Sequence, residues 1–395
     1  MVELTQNQRE IVHLLWAWYK QANGSDHITL GGYAGTGKTT LISVFRKVLE
    51  QKNPDINVAF CTYTGKAAQV LKTKLVESKT VHGKDYIGTI HSLIYSPIEN
   101  VKGEIVGWEK REKIYNTDLI IVDEASMVDG NIWADLKSYG LPIIAVGDHG
   151  QLAPIEGSFN LMQEPQLKLT EIHRQAQDNP IIKLSIMARE KGEIPVGIYS
   201  ENVRKLSFED YDTTEFMNEL LENYNTETLI LTGYNNTRVR INSSIRNLLG
   251  FEDEFPQPGD RVICLRNNGK KKIYNGMIGT IERIFPDHGD WYYAEINMDG
   301  VVNRYGIPEP YTGLIYQGQF NQKEPLNFTK QRAKSVKGDL FDYGYAITVH
   351  KAQGSQAKRV ILFEERFSQM DEDTWKRWLY TAITRAEEEL FVFGK

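Results

Sequence analysis

Apolar positions recur at helical spacing over residues 5–22, where Ile11, Leu14, Leu15 and Trp18 share one face and Thr5 stands in an N-cap position. A short apolar run at 27–30 leads into the glycine-rich stretch 31–37. A helix-periodic stretch follows from Lys38 to about residue 50. The alternation then repeats, with a strand over 58–62 and a helix from Lys66 to about residue 76. Two continuous apolar runs, 119–122 and 142–146, are of the kind a parallel sheet shows when both of its faces are covered. This order of strands and helices predicts a doubly wound α/β domain. A second α/β set begins after Leu169, with strands at 228–232, 359–363 and 390–393 and helices at 235–249 and near 374–385. Between its halves, residues 255–340 change character. Gly, Pro and Asn punctuate short alternating or aromatic-rich runs at 261–265, 277–284, 291–298 and 301–305, which predicts a small antiparallel, barrel-like β module inserted into the second α/β domain. A turn signal at 100–103 predicts a hairpin over 98–108 in the first domain. Repeats and low-complexity segments are absent from the sequence.

Composition narrows the class. The 395 residues are 41% hydrophobic and 25% charged, which excludes a disordered chain and predicts two to four domains at roughly 100–200 residues each. No apolar run approaches the ~20 residues of a membrane span, and MVELTQNQRE has no signal-peptide pattern. Cys61 and Cys264 lie far apart without ligand-like neighbours, so a disulfide framework and a zinc site are excluded and a reducing, cytoplasmic setting is expected. The formal charge of −6 argues against coating nucleic acid by bulk charge, but leaves room for a local basic groove.

The sharpest chemistry is Gly32-Tyr-Ala-Gly35-Thr36-Gly37-Lys38-Thr39, glycine, four residues, then Gly-Lys-Thr, between a predicted strand and a predicted helix. Glycines at those places let backbone N–H groups turn toward phosphate oxygens. Lys38 reaches the β- and γ-phosphates, and the Thr39 hydroxyl ligates Mg²⁺. Roughly eighty-five residues on, the strand 119–122 ends in Asp123 and Glu124. There Asp123 suits Mg²⁺ and Glu124 suits the base that orients water. Two acids after a strand are equally able to cap a helix; their place downstream of a phosphate loop favours ATP hydrolysis. In Gly147-Asp148-His149-Gly150-Gln151, Gln151 is the expected γ-phosphate sensor. The alternative is a tight turn with Asp148 as a local cap.

Eight segments in order then resemble the superfamily 1B DNA helicases, the RecD-like and Dda-like group. They are Gly-Thr-Gly-Lys-Thr (35–39), Thr-Gly-Lys-Ala-Ala (64–68), Thr-Ile-His-Ser-Leu (89–93), Asp-Glu-Ala-Ser (123–126), Gly-Asp-His-Gly-Gln-Leu-Ala-Pro-Ile (147–155), Leu-Thr-Glu-Ile-His-Arg-Gln (169–175), Thr-Val-His-Lys-Ala-Gln-Gly-Ser (348–355) and Tyr-Thr-Ala-Ile-Thr-Arg-Ala (380–386). The resemblance implies an α/β fold of two RecA-like (P-loop NTPase) motor domains. The first takes residues 1–93 and 114–172 and carries a β-hairpin pin at 94–113. The second takes residues 173–266 and 341–395, with an SH3-like β insertion at 267–340. It implies an ATP-dependent helicase that moves 5′-to-3′ on single-stranded DNA, about one nucleotide per ATP, and opens forked duplex in replication, recombination or repair.

Residue by residue, the resemblance assigns the nucleotide to Gln8, Gly35, Thr36, Gly37, Lys38, Thr39, Thr40, His173 and Gly354. Gln8 would read adenine, His173 would stack on the base, Arg174 would touch the γ-phosphate, and Arg385 would act as an arginine finger across the cleft. A helix-end arginine in a surface ion pair is the plainer reading of Arg385. Single-stranded DNA falls to Tyr63, Thr64, Lys66, Thr89 and His91 in the first domain and to Thr348, His350 and Lys351 in the second. Many relatives have proline where Tyr63 stands, so its ring either stacks on a base or fills the sheet edge. Trp108 and Ile105 are candidates for the pin tip, against packing of Trp108 at the hairpin base. The run Lys270-Lys271-Lys272 either touches DNA backbone or is simply solvated. The implied cofactors are ATP and Mg²⁺. The implied partners are single-stranded and forked DNA, with a single-strand-binding or replication or recombination protein behind them, and the chain is expected to be monomeric, off the membrane and similar in compactness to small phage helicases. Two other readings compete: a translocase subunit of a recombination or nuclease complex, and a P-loop phosphotransferase acting on a small molecule.

Overall fold

A computed structural model of the chain describes residues 4–99, 105–154, 159–171, 178–301, 308–324, 326 and 338–395. The expected roles of His173 and Arg174, most of the strand expected at 301–305, and the side chain of Ile105 lie outside the described residues. The chain divides into two units, residues 1–182 and 183–395.

The first unit is built from α1 (Gln6–Gln21), β1 (His27–Gly32), α2 (Lys38–Lys52), β2 (Val58–Thr62), α3 (Gly65–Glu77), β3 (Tyr86–Thr89) and α4 (Ile90–Ile94). A two-stranded hairpin follows, β4 (Tyr95–Glu99) with β5 (Ile105–Lys110), then β6 (Leu119–Asp123), α5 (Gly130–Lys137), β7 (Ile143–Gly147) and β8 (Leu167–Leu169). Six strands form a parallel sheet in the order β3-β2-β6-β7-β1-β8. Its central strands are apolar on both faces because both faces are covered. Val58 and Phe60, Leu119 and Ile121, and Ile144 and Val146 enter one core with residues of α1 and α2. Ala59 and Cys61, Ile120 and Val122, and Ile143 and Ala145 enter the other core, with α4 and α5. The two-residue period of the strand thus explains why no polar alternation marks these segments.

Helix starts are fixed by side chains that satisfy free backbone donors. Thr5 and Gln8 form a reciprocal capping box on α1, and Thr64, Thr89 and Asp129 cap α3, α4 and α5. One buried ion pair ties the early elements together. Asp85 accepts from Arg46 Nε (2.9 Å) and Nη2 (3.0 Å) and from the backbone N–H groups of Val58 and His82, so α2, β2 and the loop before β3 share one carboxylate.

After α6 (Pro180–Lys191), the second unit contains β9 (Gly197–Ser200), β10 (Val203–Ser207), α7 (Tyr211–Glu222), β11 (Thr228–Thr232) and α8 (Asn235–Leu248). Then come β12 (Arg261–Cys264), β13 (Ile278–His288), β14 (Trp291–Met298), β15 (Tyr311–Tyr316), β16 (Phe341–Tyr343), β17 (Ala346–Thr348), β18 (Ala357–Phe363), α9 (Glu372–Ile383) and β19 (Ala386–Gly394). Two sheets result. The first, β17-β11-β18-β19-β10-β9, is parallel except for its edge pair β9–β10. The second, β15-β14-β13-β12-β16, is antiparallel. Both feed one core, in which Ile230, Ile361 and Phe391 join Val262, Ile281, Ile296 and Tyr311. At their junction Asn242 of α8 accepts from Ala346 N (2.7 Å) and donates to Tyr343 O (3.3 Å).

Candidate nucleotide and single-strand sites

The carboxyl ends of parallel strands are where α/β sheets place their ligands. In the first unit β1 ends at Gly32, β2 at Thr62, β3 at Thr89, β6 at Asp123 and β7 at Gly147, and the register pairs Gly31 with Gly147 and Thr62 with both Thr89 and Asp123. The phosphate-loop residues, the two acids, the Gly147–Gln151 turn and the Tyr63–His91 group therefore leave the same end of the sheet.

The loop after β1 has the conformation that phosphate binding needs. Gly35 and Gly37 both have φ of 78°, in the left-handed region that costs a side chain dearly, and Gly37 caps α2 without a side chain of its own. A Cβ on Gly32 would stand 2.6 Å from Thr36 Oγ1. Lys38 Nζ donates to Gly32 O (2.7 Å) and Tyr33 O (3.1 Å) and lies 3.6 Å from Asp148 Oδ2. Thr36 is buried, its hydroxyl on Tyr33 O at 2.8 Å. Gln8 is buried beside the loop, donating from Nε2 to Thr36 O (3.0 Å) while its Oε1 accepts from Thr5 N. Thr39 and Thr40 occupy the first turn of α2.

Asp123 and Glu124 differ in environment. Burial and the neighbouring Glu124 carboxylate push the Asp123 carboxyl up to about 6, although the Glu124 N–H donates to its Oδ1 at 2.9 Å. Glu124 has φ of 54°, a strained conformation for a residue with a side chain, and its Oε2 is buried without a hydrogen-bond partner among the described residues. The Gly147–Gln151 turn does two things at once. Asp148 accepts from Gly150 N (3.0 Å), the local role, and its other oxygen faces Lys38, a role the sequence reading did not foresee. Gln151 is buried at the same turn. The His149 and Tyr33 rings approach to 4.1 Å, another contact that sequence pattern does not signal.

Thr64 and Thr89 spend their hydroxyls as helix caps, accepting from Ala67 N (3.2 Å) and Ser92 N (3.1 Å). Between them the rings of Tyr63, His91 and Tyr95 follow one another, 5.8 Å apart at each step. Tyr63 is half-buried, packed partly against the core and edge-on to His91, the contact expected of a ring that fills the sheet edge. Burial lowers the His91 pKa, against the opposing pull of Asp129, and so favours the uncharged ring. Lys66 is half-buried in the first turn of α3. Trp108 faces Pro97 across the hairpin and is 47% exposed, which leaves its ring out of any core.

In the second unit Thr348 ends β17 opposite Thr232 of β11. Burial lowers the pKa of His350 and, with Arg238 nearby, brings Lys351 down to about 8. Gly354 has φ of 73° in the turn that follows. Arg385 is 3% exposed, not on the surface, and among the described residues it has no ion pair of the kind a helix-end arginine makes. Its Nε donates to Thr381 O (3.0 Å), Nη1 to Ser355 O (3.1 Å) and Nη2 to Thr384 Oγ1 (3.1 Å). The structure thus brings Arg385 to the 348–355 segment. In the run 270–272, Lys271 Nζ lies 2.7 Å from Asp339 Oδ2 and Lys272 Nζ 3.2 Å from Glu309 Oε2.

These arrangements define a P-loop nucleotide-binding α/β protein. Residues 3–205 match the family model of the AAA domain, and residues 343–393 match that of the UvrD-like helicase C-terminal domain. The chain belongs to the AAA-domain family, and its residues 343–393 are similar to the C-terminal domain of UvrD-like helicases. The ATP-dependent RecD2 DNA helicase of Deinococcus radiodurans is 25% identical over 418 residues, covering 95% of this chain and 48% of the relative. The ATP-dependent DNA helicase dda of Enterobacteria phage T4 is 28% identical over 454 residues, covering 98% of this chain and 99% of the relative. The chain spans 36% and 48% of the first two curated relatives it matches. Bacteroides Pif1 bound to ssDNA shares the fold, with a TM-score of 0.53 at 20% identity over 99% of this chain and 92% of that one. No helix among the described residues is long and apolar enough to cross a membrane.

Proposed function

We propose that the protein is an ATP-dependent DNA helicase that moves 5′-to-3′ along single-stranded DNA and opens duplex at a fork. The observation that carries this reading is Glu124, strained and half-buried, with a buried carboxylate oxygen unpartnered among the described residues, one residue past Asp123 at the same end of the sheet as the phosphate loop. A carboxylate kept in that state costs stability and serves a reaction. Gly35, Gly37 and Lys38 bind the phosphates. Thr39 and Asp123 are the hard oxygen donors for Mg²⁺. Among the described residues no cluster of three or more His, Cys, Asp or Glu could hold a metal ion, which suits a metal held by few protein ligands and by substrate phosphates. Bound Mg²⁺ supplies charge neutralisation on the phosphates, and Glu124 orients the water. Gln151, Arg174 and Arg385 answer to the γ-phosphate, while Gln8 and His173 fix the base.

The Tyr63–Thr64–Lys66–Thr89–His91 group and the Thr348–His350–Lys351 group form two grips for the strand. Neutral rings and capped hydroxyls suit contact without base readout. The hairpin β4–β5 is the separation pin, and residues 267–340, which carry β13, β14 and β15, are the SH3-like insertion. The setting is cytoplasmic and the working form a monomer. Strand displacement on forks with a 5′ or a 3′ single-stranded tail tests the reading. The expected result is ATP-dependent opening of the 5′-tailed substrate only. Opening of the 3′-tailed substrate would overturn the polarity, and opening of neither would overturn the helicase.

A further inference from the structure

The hairpin leaves the first unit at Tyr95 and returns at Lys110, which face each other across its base. Both side chains end on one carboxylate. Tyr95 Oη donates to Asp135 Oδ2 at 2.5 Å, and Lys110 Nζ donates to Asp135 Oδ1 at 3.0 Å. Just beyond α5, the Tyr139 hydroxyl stands 2.8 Å from Ile94 O and 2.7 Å from Arg111 O, the carbonyls that flank the hairpin on either side. Arg111 closes the root, donating from N to Ile94 O (2.8 Å) and from Nε to Tyr95 O (3.2 Å). The Lys110 ammonium also lies 5.7 Å from the centre of the Tyr139 ring.

A two-stranded ribbon has little stability or fixed direction of its own, so its angle must be set at its root. The root here is α5. That helix begins at Gly130, six residues after Glu124, and is capped by Asp129, which accepts from Asn131 N and Ile132 N. The Tyr95 ring, held at its hydroxyl by Asp135, lies 5.8 Å from His91. One carboxylate therefore joins both strands of the hairpin to the helix that follows the hydrolytic acids. Asp135 and Lys110 are both more than a third exposed, so their pairing adds little to global stability. Its consequence is geometric.

We propose that Asp135 is a positioning residue for strand separation: its two oxygens, on Tyr95 and Lys110, fix the angle at which the hairpin meets the duplex junction. The inference rests on reading the hairpin as the pin.

The test uses the full chain with Asp135→Ala, Asp135→Glu and Tyr95→Phe, assayed for fork displacement and for ATP hydrolysis with single-stranded oligonucleotide. Asp135→Ala and Tyr95→Phe are expected to lower displacement several-fold, to be non-additive when combined, and to leave stimulated hydrolysis unchanged. Asp135→Glu, which keeps the acceptor, is expected to recover part of the loss. Tyr95→Phe removes one oxygen only, so it reports even where Asp135→Ala disturbs the fold. Wild-type displacement in both variants, or a parallel fall in hydrolysis, overturns the positioning role. A chain lacking residues 98–107 separates the two ideas. If it still opens forks, the pin reading fails; if it does not while the variants unwind normally, only the role of Asp135 fails.

Discussion

Glu124 and Lys38 carry opposite burdens at the same strand ends. Lys38 is held by Gly32 O, Tyr33 O and the nearby Asp148, so its ammonium is already aimed along the loop. Lys38→Ala is expected to abolish nucleotide hydrolysis while single-strand binding persists, measured by phosphate release and by oligonucleotide anisotropy. Glu124→Gln keeps shape and loses basicity. Its turnover is expected to fall by about 10²–10⁴-fold with nucleotide still bound, and a wild-type rate would move the base elsewhere. Sequence made these residues visible because the phosphate loop and the strand-end acid pair are each a contiguous motif. It did not reveal that Asp148 faces Lys38 as well as Gly150, nor that Lys271 and Lys272 are tied to Asp339 and Glu309. Those partners are set by tertiary approach over tens of residues, which no local pattern encodes.

At the scale of elements, the strands read most clearly are those apolar on both faces: β2, β6, β7, β11, β18 and the apolar stretch of β19. The strands that escaped notice are short or half polar. Tyr86-Ile-Gly-Thr of β3, Leu167-Lys-Leu of β8 and the edge pair β9–β10 bury too little to leave an apolar run. The hairpin is longer than the turn signal suggested, Tyr95 to Lys110 rather than 98–108, because its root residues pair through polar side chains. Helix α7 hides its apolar positions among acids. The Arg46–Asp85 pair is an element-scale joint with no sequence signature. Asp85→Ala leaves a fully buried guanidinium without its carboxylate and frees Val58 N and His82 N. It is expected to cost about 3–5 kcal/mol in urea unfolding, and a loss below 1 kcal/mol would mean the joint is replaceable.

Over the whole molecule, charge is distributed unevenly. Residues 206–237 hold seven acids and no Lys or Arg, leaving 46 basic residues against 45 acidic ones elsewhere. The net charge of −6 is thus concentrated in α7 and its flanks, and the remainder of the chain is close to neutral. The two α/β units, the inserted antiparallel sheet and the hairpin follow from the strand order, and each proposed function asks something different of them. A phosphotransferase needs no response to a polynucleotide; a motor does. The most direct measurement is therefore steady-state ATP hydrolysis by the purified chain with and without an unpaired DNA oligonucleotide, at low salt. The account predicts strong stimulation that saturates with oligonucleotide and fades as salt rises. Equal rates in the presence and absence of the oligonucleotide would contradict it.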